Sequence, residues 1–497
     1  MSSTPPPEAA GLLALAALLL LPGLLVVRAP WTAVPALSLA FWALSWWWLP
    51  FAARSRVLAA ALVVFAVLAL LRLLPRHTVA PPPGHIGPLP PPPIAGPTTG
   101  DVPRLRTAPS LVIVGLALAM LVPLPFEHHA PGPEMAFHTT SARLLLWRDD
   151  APATYEPLLP VGPFGAHSPA LPTLAGDLAH IAGLDPARAV LLIVLASHGL
   201  VVLGLYALLS AVRLRPSAAA VAALVGLAVI PSGVLAMWGA GGPVLALGLG
   251  LSAAALVLGH TSRPSAVAAG MLLGAAALAQ PLLALAVGAG IATAVFAGAA
   301  RQARSDSVTA GGDARSLTRA ARVRLGLVCA VSLGLAGPRL FPLARALSVD
   351  EALGVLGSPR THEVVDLLSG LMLVPLVALL ARGFPQGTRL SRVVMVGLVT
   401  TVAVVVLVRT HGWIASGQLA PESRRALSRL ARTPRPLEVV CAPESLVDWV
   451  PALAGRPAGG VGVGAPRPWV PRALREELAQ SPVPPCTKKL DGSAQQP

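Results

Sequence analysis

Residues 264–299 read PSAVAAGMLLGAAALAQPLLALAVGAGIATAVFAGA, an unbroken run without a single charged side chain. As one helix this run would extend about 54 Å at 1.5 Å per residue, well beyond the roughly 30 Å of bilayer hydrocarbon. Gln280-Pro281 lies near its middle. Proline removes a helix hydrogen bond and clashes with the preceding turn, so the run predicts two spans meeting at a break, 264–279 and 281–299. The same kind of apolar run recurs at 9–27, 33–52, 57–74, 109–126, 188–210, 217–237, 243–260, 325–343, 364–381 and 393–410. Twelve crossings are therefore expected.

Composition agrees with that reading. The 497 residues are 55% hydrophobic and 12% charged, with a mean hydropathy of +0.71. An ordinary soluble domain carries about 25% charged residues, so roughly half the usual solvating groups are missing. A soluble enzyme, a nucleic-acid-binding domain and a secreted disulfide scaffold are excluded as descriptions of the whole chain. The fold class expected is an all-α polytopic membrane protein, with a long external loop carrying amphipathic helices and a small external α/β tail.

The net charge of +15 reads as topology before it reads as a partner. Arg213 and Arg215, then Arg263, then Arg301, Arg304, Arg315, Arg319, Arg322 and Arg324, then Arg382, Arg389 and Arg392 fall on alternate connections. Such connections face the cytoplasm. The loop 127–187, the connection 344–363 and the tail after 410 then share the external, periplasmic side of a plasma (inner) membrane. Four parts follow: N-terminal helices in 1–74, a Pro-rich linker over 75–108, a membrane core over 109–410 and a tail domain over 411–497. Arg54 and Arg56 fall on the wrong side in this scheme. Trp46, Trp47 and Trp48 read as an interfacial belt.

The loop 127–187 holds five of the eleven His and seven of the 22 acidic residues, a concentration that marks it as the chemical part of the chain. Residues 134–147 and 170–183 have helical periodicity and read as amphipathic helices on the membrane surface. Glu134 and His138 are four apart and share a helix face. A carboxylate beside an imidazole can act as a general base, or the two can share a cation. Glu134 also follows Gly-Pro, where a negative charge in a first helical turn is favoured by the helix dipole. His128 and His129 read as solvated loop residues, and Asp149, Asp150 and Glu156 flank a turn.

The order of these parts resembles a family. EMAFHTTSARLL followed by TYEPLLPVGPFGAHSPALPTLAGDLAHIAGLDPARA, leading into the next span, is similar to the first external loop of GT-C type membrane glycosyltransferases. The tail, with a helix at 422–432, a strand at 437–441 and the segment WVPALAGR, resembles theirs too. The resemblance covers about residues 109–460. It implies transfer of a sugar from a polyprenyl-phosphate carrier to a glycan or lipid acceptor, by a hexosyl- or pentosyltransferase. An acidic residue of the first loop serves as base, here Glu134 where the family usually has Asp, with His138 beside it. A divalent metal, Mg or Mn, is implied on Glu134 and His138.

A lipid-borne phosphate at the membrane surface calls for cations and hydrogen-bond donors just outside the bilayer. Arg143, Arg148, Arg339, Arg360 and Arg456 are the candidates, with Glu156 in the same substrate set. The bilayer, the lipid-linked donor and the acceptor are the partners expected, and no nucleic acid. An external tail also places Cys441 and Cys486 in an oxidising compartment, where they are expected to pair. Two other functions fit a polytopic chain. A solute or lipid transporter requires internal repeats and charges near the midplane, and a non-catalytic scaffold requires only the spans and the tail.

Overall fold

The computed structural model describes residues 7–26, 30–45, 54–73, 107–121, 124–147, 154–159, 168–229, 241–309, 314–346, 389–433, 438–459 and 488–489. The helices are α1 (Pro7–Leu20), α2 (Val34–Ser45), α3 (Arg54–Leu73), α4 (Thr107–Met120), α5 (Pro133–Trp147), α6 (Ala170–Ala182) and α7 (Pro186–Ala211). They continue with α8 (Pro216–Val229), α9 (Gly241–Gly259), α10 (Arg263–Ala279), α11 (Pro281–Thr309), α12 (Ala314–Ala346), α13 (Arg389–Gly417), α14 (Pro421–Ala431) and α15 (Glu444–Val447).

The long apolar run divides at its proline. Helix α10 ends at Ala279, Gln280 takes an extended conformation (φ −159°, ψ 102°), and Pro281 opens α11. Glycine contacts give the directions of the neighbouring helices. A Cβ on Gly241 would meet Val194, one on Gly248 would meet Leu200, and one on Gly204 would meet Leu251. Helices α7 and α9 therefore run parallel. Gly242 lies against Ala279, at the far end of α10, and Gly250 against Val287 of α11. Helix α11 thus runs with α9, and α10 runs the opposite way.

Among the described residues, four helical segments are long and apolar enough to cross a membrane: Pro186–Ala211, Gly241–Gly259, Pro281–Ala300 and Arg319–Pro338. The other expected crossings coincide with shorter helices such as Trp31–Ser45 and Pro216–Gly226, and 364–381 lies outside the described residues. Within the four, the apolar windows of α7 and α9 are 89% buried, whereas those of α11 and α12 are 17% buried. The first two form the centre of the bundle. The other two hold Leu285 and Leu333 outward, a surface that water would penalise and lipid tails accept.

The first three helices belong to the same core. Trp42 is fully buried, its indole Nε1 donates to the Leu21 carbonyl at 2.7 Å, and Phe41, Trp42 and Phe65 make edge-to-face contacts at 5.2–5.9 Å. Helix α2 packs on α6 and α10.

A second core joins the loop to the tail. Phe137, Leu144, Tyr155 and Leu158 of the loop pack with Leu427, Leu430, Val440, Trp449 and Val450 of the tail. The tail sheet has order β2-β1-β3, all parallel, with β1 (Val440–Cys441) between β2 (Ala458–Gly459) and β3 (Lys488–Lys489). Cys441 is disulfide-bonded and Cys329 is free; Cys486, its expected partner, lies outside the described residues.

Contact between α7 and α9 depends on small residues, as expected where helices approach closely in an apolar medium. The Cβ of a residue at 248 would sit 2.7 Å from the Leu200 Cβ and 3.1 Å from the Val201 nitrogen. Gly248→Val should therefore destabilise the bundle by about 1–3 kcal/mol, read as a lowered unfolding midpoint in detergent. Gly288→Ala, in the interior of α11 where nothing lies within 4 Å, should cost nothing and can stabilise by about 0.5–1 kcal/mol.

Candidate functional site

Helix α5 begins where Gly132, at φ 102°, turns the chain and its carbonyl accepts from the Met135 nitrogen at 3.1 Å. Glu134 falls in the first turn, where the free backbone N–H groups favour a negative charge. One turn on, His138 Nε2 lies 3.5 Å from Glu134 Oε1. The imidazole is fully buried and Glu134 is 8% exposed. A carboxylate is rarely so enclosed unless a partner offsets the loss of water, and the imidazole supplies one.

The burial of α5 corrects the expectation of a surface helix. Its middle reads HTTS, which looks solvated, yet His138, Thr139, Thr140 and Ser141 are all buried. The hydroxyls are satisfied within the helix. Thr139 donates to the Met135 carbonyl at 2.7 Å, Thr140 to Ala136 at 2.9 Å and Ser141 to Phe137 at 2.9 Å. Three hydroxyls saturated in this way can be enclosed at little cost. Helix α6 is buried from Ala170 to Ala179, so it too is enclosed by protein.

Arg143, two turns beyond Glu134, reaches across the seam between loop, bundle and tail. Its Nε donates to the Ala452 carbonyl at 3.0 Å and its Nη2 to Asp185 Oδ2 at 3.1 Å. Asp185 is also the N-cap of α7, its Oδ1 accepting from the Ala187 nitrogen at 2.8 Å. Gly455 lets the tail come this close. Its φ is +63°, and a Cβ there would stand 3.0 Å from the Trp147 ring and 3.2 Å from the Arg143 Cδ. On the next turn of α7, Arg188 donates to the carbonyls of Pro125 and Glu127 at 2.8 and 2.6 Å, which holds the loop's entry against the bundle.

The expected site residues separate into groups. Glu134 and His138 meet. Arg143 lies at the loop–tail seam and Arg456 within the tail, and both guanidinium groups are engaged by protein. Arg456 is 1% exposed and donates to Glu438 Oε2 at 2.9 Å, the Leu430 carbonyl at 2.9 Å and the Thr433 carbonyl at 2.7 Å. That geometry makes it a strut inside the tail. Glu156 is exposed, beside the buried Tyr155, whose phenol is pushed up by burial, against a hydrogen bond with Ser141. Arg148 and Arg360 lie outside the described residues, as does the Arg339 side chain. For the metal, no group of three or more His, Cys, Asp or Glu converges among the described residues. Glu134 and His138 supply two candidate ligands for the expected Mg or Mn, and no third joins them among the described residues.

The sequence misplaced His129. It is 1% exposed, its ring lies 4.4 Å from that of Trp449, and its carbonyl accepts from Gln418 Nε2 at 2.8 Å. Its Nδ1 lies 3.1 Å from the Ala130 carbonyl, which makes Nδ1 the donor and Nε2 the bare nitrogen. Burial holds the pKa down to about 4, against the hydrogen bond to Ala130. Nothing local in EHHAP announces this, because the ring that covers His129 belongs to the distant tail.

No family model matches the sequence, and no curated protein does. Among solved structures the chain is similar to an oligosaccharyltransferase of Archaeoglobus fulgidus. In its complex with zinc and sulfate the TM-score is 0.42 at 14% identity, over 70% of this chain and 62% of that one. With a tethered acceptor peptide the values are 0.40 and 15%, over 71% and 64%. With an inhibitory peptide and a dolichol-phosphate they are 0.38 and 13%, over 70% and 64%. The chain spans less than two thirds of the length of these structures.

The seam should be sensitive to acid. Folded His129 stays neutral down to about pH 4, while the unfolded chain takes a proton near 6.5. Stability is complete above pH 6.5 and is lost as the pH falls towards 4, by about 3 kcal/mol. Unfolding midpoints from pH 7 to 4 should record that loss, and His129→Gln should remove most of it. Arg456→Ala, which removes a buried cation from beside Glu438 and the donor to two carbonyls, should destabilise the tail by about 3–5 kcal/mol, seen as faster proteolysis within 421–459.

Proposed function

We propose that the chain is a membrane glycosyltransferase that moves a sugar from a polyprenyl-phosphate carrier to a hydroxyl of a glycan or lipid acceptor, with Glu134 as the base. The observation that carries this reading is the enclosed Glu134–His138 pair, at 3.5 Å, at the head of a helix that the bundle and the tail surround. Its support lies also in the order of parts that resembles GT-C enzymes.

The reaction needs one proton acceptor and a place for a leaving phosphate. The acceptor hydroxyl gives its proton to the Glu134 carboxylate, its oxygen attacks the anomeric carbon, and the bond from that carbon to the phosphate oxygen breaks. The electron pair departs with the polyprenyl phosphate, and the configuration inverts. His138 fixes the carboxylate on the helix face and stays beside it as the proton arrives. Enclosure strengthens each of these interactions relative to water. Arg148, Arg339 and Arg360 are proposed as the phosphate's partners, because the donors of Arg143 and Arg456 serve the protein itself. A divalent metal held with the help of Glu134 and His138 would offset the charge on the leaving phosphate. The loop and tail are taken as external, in a plasma membrane.

The test is transfer of labelled sugar from a polyprenyl-phosphate donor by the purified, reconstituted protein. Glu134→Gln keeps size and loses the base, and should lower turnover by about 10²–10⁴-fold with an unchanged unfolding midpoint. Equal turnover in wild type and Glu134→Gln would remove the assignment.

A further inference from the structure

Helices α10 and α12 run side by side in the same direction. A Cβ on Gly270 would lie 2.7 Å from the Val331 Cβ and 2.8 Å from the Val328 oxygen, and one on Gly274 would lie 3.3 Å from the Ser332 oxygen and 3.7 Å from the Ala336 Cβ. Four residues along α10 thus advance the contact by one turn of α12. Arg263 stands two turns before Gly270, and Arg324 two turns before Val331. Both arginines therefore occupy one level, at the end of the bundle opposite the loop and tail.

That level gathers positive charge. Arg263, Arg319 and Arg322 are exposed. Arg324 is half-buried between the helices, where its Nη2 donates to the His260 carbonyl, and its buried Nε finds no acceptor among the described residues. No ion pair among the described residues neutralises Arg263, Arg319 or Arg322. Directly below this collar the same helix turns apolar. The segment Arg319–Pro338 is a candidate span with 17% of its window buried, and Val323 and Leu333 are exposed along it. A ligand suited to this surface carries an anion at one end and hydrocarbon at the other.

We infer that the Arg263–Arg319–Arg322–Arg324 collar on α10 and α12 binds the headgroup of an anionic phospholipid of the surrounding bilayer, with its acyl chains lying along the exposed face of α12. Guanidinium groups suit the phosphate because they donate in pairs to its oxygens and shed water readily. The lipid is chosen over free phosphate because the cations adjoin an uncovered apolar helix face, which only a lipid can cover at the same time. The site is at the opposite end from Glu134, so it is independent of the sugar-transfer reading.

The experiment measures binding of phosphatidylglycerol and phosphatidylcholine to the full chain in nanodiscs, by native mass spectrometry after exchange. Wild type should prefer phosphatidylglycerol, by about fivefold for each exposed Arg. The triple variant Arg263→Gln, Arg319→Gln, Arg322→Gln should lose about 100-fold of that preference. The corresponding triple Lys variant should keep most of it. Unfolding midpoints identify any triple variant that fails to fold, and the single variants Arg319→Gln and Arg322→Gln then read the step for one charge. An equal preference in wild type and the Gln variants, or none in wild type, would overturn the inference. So would displacement of phosphatidylglycerol by millimolar inorganic phosphate, which would indicate a free-anion site.

Discussion

Arg143 is the residue on which the union of loop, tail and bundle depends. One guanidinium ties α5 to the tail through the Ala452 carbonyl and to the bundle through Asp185. The ion pair alone is a modest term, because the Asp185 side chain is 55% exposed and water screens it. Its importance is geometric. Asp185 caps α7, which with α9 forms the most enclosed part of the bundle, so Arg143 aligns the loop and the tail with the centre of the bundle. With both held there, α5 is buried over Glu134–Ala142 and its Glu134–His138 pair is enclosed.

The packing around that clamp is organised in two cores that have no buried residue in common among the described residues. The larger one runs through α1, α2, α6, α7, α9 and α10 and is closed by glycine contacts. The smaller one unites loop and tail, and the Ala458 nitrogen lies 3.5 Å from the Leu158 carbonyl across it. Neither the loop nor the tail has enough apolar surface to form a core alone, which follows from the poor ratio of volume to surface in small units. Each supplies the other's second layer. Arg213, Arg215, Arg263, Arg319 and Arg322 lie at the far end of the same helices, away from the loop and tail.

Much of the helical layout was legible because it depends on local rules. Gln280-Pro281 ends one helix and starts another for reasons contained in one dipeptide. The helices around Glu134 and Asp177 followed from periodicity, while the helix at Arg425 and the strand at Val440 were expected only from the resemblance of the tail. Helix length was less legible: hydropathy over 9–27 does not reveal that α1 ends at Leu20, ahead of a short 3-10 turn at Gly23–Leu25. Burial was the main failure. HTTS reads as polar because a sequence does not show hydroxyls returning to their own helix, and His129 reads as loop because Trp449 is remote in the chain. Arg456 looked like a phosphate ligand for the same reason, since its acceptors Glu438, Leu430 and Thr433 are brought together only by the folded tail. The Glu134–His138 spacing was readable, while its enclosure was not.

The proposed chemistry needs α5 to be an interior element held between bundle and tail. Hydrogen exchange at the α5 backbone amides of the membrane-reconstituted protein tests this most directly, since exchange rates report how often a segment opens. Protection over residues 138–146 comparable to that of α7 is the predicted result. Exchange as fast as that of a solvated surface helix would contradict it, because Glu134 would then face bulk water with nothing to hold it.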